Sequence, residues 1–204
     1  MATLHHKNPA TGPHLLLVDD DRLVLTTMAC ALALAGYQVS TAESADEAEN
    51  WLTEGHQRPQ LVILDVQMPG QSGLTLAQRL RELDHVPFMM LSAYSDQATV
   101  MQATQQGALS YAVKPIDPAQ LIPMIEASLA RANELQALRT TRQQLQTALD
   151  NERDINAAVG ITMMQHRLSR KAAFDLLRQG ARNQRCKLIE LAQGIIKATE
   201  TINL

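Results

Sequence analysis

The chain has 204 residues, 46% hydrophobic but only 3% aromatic, which suits one substantial domain and a smaller one with aliphatic cores. No run approaches the ~18 apolar residues of a membrane span, and the opening MATLHHKNPATGPH has no apolar leader core, so a cytoplasmic protein without a membrane partner is expected. Cys30 and Cys186 stand too far apart for a CxxC motif or a disulfide framework, and the net charge of −3 divides unevenly.

Residues 1–118 hold 6 Lys/Arg against 13 Asp/Glu, whereas residues 156–204 hold 8 against 3. An acidic front and a basic tail predict two units with different partners, the tail suited to polyanions. Residues 1–12 read as a disordered terminus.

Along the front, aliphatic runs alternate with helical patterns. HLLLV (14–18) is a buried strand, and residues 21–36 form a helix closed by Gly36. YQVST (37–41) is the second strand, and Ser44 with Glu47 makes a capping box for a helix reaching Thr53. LVILD (61–65) precedes a helix from about Ser72 to Leu83. VPFMMLS (86–92) is the fourth strand, followed by a helix capped by Ser95 and ending before Gly107. LSYAV (109–113) is the fifth, and Asp117-Pro118 opens the next helix. Five β–α units with aliphatic strands predict an α/β fold, a parallel sheet covered on both faces.

Ligands of such folds sit beyond the carboxyl ends of the strands. Here those ends carry Asp19-Asp20-Asp21, Asp65, Ser92 and Lys114. Clustered carboxylates repel unless a cation lies among them, and oxygen-only ligands favour Mg²⁺. Lys114 and Ser92 add a positive charge and a hydroxyl donor suited to phosphoryl oxygens, and a carboxylate such as Asp65 is a competent phosphoryl acceptor. A simpler reading makes Asp19 to Asp21 a helix cap.

LLLVDDD, LDVQMPGQSG, MLSA and YAVKP, in this order, resemble the receiver domain of two-component response regulators over residues 13–130. The resemblance implies a flavodoxin-like (βα)5 fold and a sensor histidine kinase as partner. It makes Asp65 the phosphoacceptor. Asp19, Asp20, Asp65 and the main-chain carbonyl of Gln67 would hold Mg²⁺, and Ser92 and Lys114 would contact the phosphoryl group. It further implies a cis Lys114-Pro115 bond and makes Ser92 and Tyr111 the pair that moves on activation. A haloacid-dehalogenase-type phosphatase also uses an aspartyl phosphate, but needs an Asp where this chain has Gln67.

Beyond Pro118 the helical pattern continues past Pro123. Leu135, Leu138, Leu145 and Leu149 fall on a and d positions, with Arg142 at an intervening a. Residues 131–150 therefore read as a long connecting helix, able to pair two copies in a short coiled coil or to stay solvated as a linker. Residues 151–204 read as a three-helix bundle: about 151–166, 170–180 capped by Ser169, and 187–200, with a turn at Gly180 to Asn183.

Residues 155–196 resemble the ANTAR domain, the RNA-binding output module of transcription antitermination regulators, at positions including Ile155, Ala158, Gly160, Met163, Ser169, Ala173, Phe174, Leu177, Asn183, Leu188, Ala192 and Ile196. Val159 stands where that family places a basic residue, and Thr162 replaces an aliphatic one. Ile155, Met163, Phe174, Leu177, Leu188 and Ile196 read as core. Arg170, Lys171, Arg178, Arg182, Arg185 and Lys187 read as a cationic stripe able to neutralise phosphates. Without a Phe/Tyr-rich sheet there is no RRM-like platform, so aromatic stacking would contribute little, and His166 reads as a surface or cap residue. The expected function is a phosphorylation-dependent, non-enzymatic antiterminator acting on hairpins in mRNA leaders. The alternative is a tail that binds DNA or a protein partner.

Overall fold

The aliphatic runs become β1 (His14–Val18), β2 (Gln38–Ala42), β3 (Leu61–Asp65), β4 (Phe88–Ser92) and β5 (Tyr111–Val113) of one parallel sheet, ordered β2-β1-β3-β4-β5. The computed structural model describes residues 12–93 and 96–202, with the backbone alone at 83, 84 and 200–202. Central strands β1, β3 and β4 are buried at every position, which is why they read as unbroken apolar runs; edge strands β2 and β5 are partly exposed.

Successive residues face opposite sides of the sheet. Leu16, Val18, Val62, Leu64, Phe88 and Met90 pack with α2 (Ala45–Thr53), α3 (Gly73–Arg79) and α4 (Gln97–Gln106). Leu15, Leu17, Leu61, Ile63, Met89 and Leu91 pack with α1 (Arg22–Leu34) and, through Leu121 and Ile125, with the start of α5 (Pro118–His166). Each of these buried side chains contributes roughly 1.5–3 kcal/mol of transfer free energy.

The caps show how local sequence sets the ends. Asp21 accepts from the N–H groups of Leu23 and Val24 at the start of α1, and Ser44 accepts from Glu47 N–H at α2. Three expectations shift. The helix expected from Ser72 to Leu83 is α-helical only to Arg79 and continues as a π-helical turn, Leu80–Asp84, closed by left-handed His85. Ser95 lies outside the described residues, and Asp96 is the N-cap of α4, accepting from Thr99 N–H. β4 and β5 each begin two residues later than expected.

By its internal contacts the chain divides into Met1–Gln136 and Ala137–Leu204. In the second unit no separate helix starts near residue 151, because α5 runs on to His166. Asp150, a cap-type residue, instead accepts from Gln146 one turn earlier. His166 ends this helix. α6 (Arg170–Gln184), capped by Ser169, continues through the expected turn at Gly180 and ends at left-handed Arg185. Gly180 serves packing: a Cβ there would lie 3.2 Å from Leu191 Cδ2 on α7 (Leu188–Ile202).

The core of this unit is built on small residues. Ala158, Val159, Ala173, Leu177 and Ala192 are buried, and Ile155, Met163, Leu168, Leu188, Leu191 and Ile195 pack around them. Phe174 corrects the sequence reading: it is 38% exposed and stands outside this cluster. Ile195, not Ile196, packs against the cluster. Alanines from all three helices fill the contact, and Phe174 lies one residue, about 100° of helix, beyond inward-facing Ala173. Val159 and Thr162, the two departures from the ANTAR pattern, are both buried, Thr162 donating to the Ala158 carbonyl at 2.8 Å.

Candidate functional site

Chain order reverses between β1 and β3: β1 pairs with β2 on one side and with β3 on the other. Such a switch point opens a crevice at the carboxyl ends of the strands. Asp19 follows β1 into this crevice and Asp65 ends β3, both buried, with Asp20 exposed beside them. One carboxylate oxygen from each of the three lies within 4.8 Å of the others. Asp21 turns away to cap α1, so the acidic run divides its work: the helix-cap reading holds for Asp21 and does not account for Asp19 and Asp20.

Lys114 completes the crevice from the far side. Its backbone N–H donates to the Ser92 carbonyl at 2.8 Å, which fixes it one residue past β5. From there the side chain reaches over the end of β4, and Nζ stands 2.9 Å from Asp65 Oδ2 and 2.6 Å from Asp19 Oδ2. Burial raises the Asp65 carboxyl above its ordinary value; Lys114 pulls it back and Asp19 adds to the rise. For Lys114, burial disfavours the charge, but the bonds to Asp19 and Asp65 outweigh it and hold the ammonium above its ordinary value. The site is thus short of positive charge and uses a lysine to bind two acids together.

Ser92 is fully buried at the end of β4, and Tyr111 is half-buried at the start of β5, packed on the face that carries α2 to α4. Gln67 N–H points back to Asp65 Oδ1 at 3.4 Å. The Lys114-Pro115 peptide is cis. Gly73 was not foreseen. Its N–H donates to the Val66 carbonyl at 3.0 Å, and a Cβ there would fall 1.8 Å from the Asp65 carbonyl oxygen. The signal was a glycine directly after cap residue Ser72, where a helix ordinarily gains nothing from one.

In the second unit, Arg170, Lys171, Arg178, Arg182, Arg185 and Lys187 are all exposed. Arg170 is tied to Asn156 of α5 by a 3.0 Å hydrogen bond, and the Lys187 N–H is held by Glu190 as a cap of α7.

Comparison with known proteins agrees with both units. The response regulator receiver domain model matches residues 15–126 and the ANTAR domain model matches residues 143–196. The chain belongs to the response regulators with an ANTAR output domain. The transcriptional regulatory protein PdtaR of Mycobacterium tuberculosis is 30% identical over 193 residues, 94% of this chain and 93% of that one. AfsQ1 of Streptomyces coelicolor is 37% identical over 119 residues, 58% of this chain and 52% of its own. Among solved structures, a receiver domain protein from Clostridium thermocellum superposes with a TM-score of 0.55 at 27% identity, covering 60% of this chain and 98% of that one. CheY4 of Vibrio cholerae superposes at 0.53 with 26% identity, covering 57% and 98%. Response regulators of this composition are regulatory proteins and not enzymes. Among the described residues, no helix is long and apolar enough to cross a membrane.

Proposed function

We propose that the protein is a phosphorylation-switched transcription antiterminator. Asp65 is the phosphoacceptor: its carboxylate oxygen attacks the phosphorus of a sensor histidine kinase's phosphohistidine, the P–N bond breaks, and the imidazole leaves. What carries this reading is the bridging of Asp19 and Asp65 by Lys114 at the switch point, in a chain that also carries an ANTAR module.

The donor set fits Mg²⁺: three carboxylates whose ligand oxygens lie within 4.8 Å, no nitrogen or sulfur ligand, and a deficit of positive charge. Asp19, Asp20 and Asp65 with the main-chain carbonyl of Gln67 would hold it. When bound, Mg²⁺ neutralises charge that builds on the transferring phosphoryl oxygens. Lys114 and Ser92 then take hold of those oxygens, and Tyr111 follows Ser92 inward as the β5 surface rearranges. The switched output is the tail, whose exposed cations engage hairpins in nascent mRNA leaders and so keep terminators from forming. Exposed Leu138, Leu145 and Leu149 on α5 support self-association of residues 131–150, a homodimer weak until the receiver is phosphorylated.

The test is binding of the full chain to stem–loop RNA and to duplex DNA, with and without Mg²⁺ and beryllofluoride. Tighter RNA binding with the phosphate mimic, lost in Asp65→Asn, is the expected result. Preference for duplex DNA, or no effect of the mimic, defeats the proposal.

A further inference from the structure

A single exposed apolar side chain on a protein surface calls for no explanation. Phe174 differs in its surroundings. It is the sole Phe, Tyr or Trp in residues 131–204, it is exposed where the unit's core is closed by alanines, and it stands among cations. On a helix, positions three and four apart are neighbours about 6 Å away. Arg170, Lys171 and Arg178 occupy those positions on either side of Phe174, and Arg182 lies one turn beyond Arg178. All four fall within about 80° of Phe174 around α6. Asp175, the one acid of α6, lies about 100° away. Since Arg170 is already bonded to Asn156, the cations left for a ligand are Lys171, Arg178 and Arg182.

A partly exposed aromatic ring inside a cationic ridge fits a polyanion that carries flat, unpaired rings. Phosphates alone would need only the cations, and an apolar protein partner would not be drawn to them. Paired bases in a duplex hide their faces within the stack, whereas loop bases offer them. We infer that Phe174 is a base-stacking platform for an unpaired nucleotide in the loop of the bound RNA hairpin, with Lys171, Arg178 and Arg182 holding the phosphates around it. This rests on the reading of the tail as RNA-binding and adds to it the side chain that meets the base.

The test uses the full chain with Mg²⁺ and beryllofluoride, a stem–loop RNA pool with a randomised loop, and the same stem as a blunt duplex. Phe174→Leu keeps apolar bulk and loses the π-face. It should keep the wild-type melting temperature, weaken stem–loop binding about tenfold, and leave the slope of log K against log salt unchanged. Arg178→Gln should instead reduce that slope by about one. Phe174→Trp, placed in a Trp51→Phe background so that it is the only indole, should bind as tightly as wild type. Its fluorescence should be quenched by the stem–loop and not by the blunt duplex. If Phe174→Leu unfolds, the tryptophan variant decides alone. Wild-type affinity in a folded Phe174→Leu, or equal quenching by the blunt duplex, overturns the stacking role while RNA binding stands. Failure of the wild-type chain to bind the stem–loop pool overturns both.

Discussion

Replacing Lys114 by Met removes the charge and keeps most of the length. Its Nζ lies 2.6 Å from Asp19 and 2.9 Å from Asp65, and the facing carboxylate oxygens lie within 4.8 Å of each other. Two like charges at that separation repel by about 3.5 kcal/mol at an effective dielectric of ~20. Breaking a buried pair by removing one partner costs about 3–5 kcal/mol. Lys114 keeps a fifth of its side-chain surface in water, so a loss of about 3 kcal/mol in the presence of chelator is expected. With a urea m-value of about 2–3 kcal/mol per molar, the midpoint moves down by about 1 M. Trp51, the only tryptophan, lies in the sheet unit and reports its unfolding. Adding Mg²⁺ should restore most of the loss, since ligand at 100 times its dissociation constant stabilises by about 2.7 kcal/mol. The variant should therefore gain more from Mg²⁺ than the wild type, in which the ammonium already neutralises the acids. Equal midpoints in chelator, or a smaller Mg²⁺ gain in the variant, would refute the electrostatic account of the crevice.

Asp65→Asn should abolish labelling by acetyl phosphate and yet stabilise the chelated protein. The folded-state value of Asp65 is raised mainly by burial, so wild-type stability is full below the ordinary carboxylate range and falls as pH rises through the raised one. The gap between variant and wild type in urea midpoints should accordingly open above about pH 4. Tyr37 is raised by burial and then by Glu126: its contribution holds up to the ordinary tyrosine range near pH 10 and is lost as pH rises further. Absorbance at 295 nm should show one of the three tyrosines titrating late, together with unfolding, and Tyr37→Phe should remove that step. Gly73→Ala sets a Cβ 1.8 Å from the Asp65 carbonyl. The chain must yield by more than about 1 Å, at a cost of about 1–3 kcal/mol, and acetyl-phosphate labelling should slow on the order of 100-fold. Wild-type labelling and midpoint in that variant would show that α3 has room to move.

The alternation of aliphatic runs and capped helices made the sheet unit legible, because a parallel sheet buried on both faces leaves strands that cannot be mistaken for half-exposed ones. The crevice was legible for the same reason: each of Asp65, Ser92 and Lys114 sits at or just beyond the end of such a run. What was not legible depends on contacts across the fold. Gly180 looks like a turn in sequence and is a packing site for α7, known only from Leu191. Phe174 looks like core because phenyl rings usually are; the alanines that fill the contact come from three different helices. The continuity of α5 past residue 151 was not legible because one unbroken helix serves two units that the sequence reading treated as separate.

Asp65, the proposed phosphoacceptor, is mounted on β3, which is clamped between two neighbours and enclosed at all five positions. A strand so confined cannot recoil, and a new dianion at its tip finds no local give. The compliant partner is the outermost strand, three residues long, with a neighbour on one side only and the bridging lysine attached to its end. Phosphorylation of Asp65 would therefore direct displacement outward along that lysine, from an enclosed central strand to a short edge strand, and deliver it four residues later to the first turn of α5.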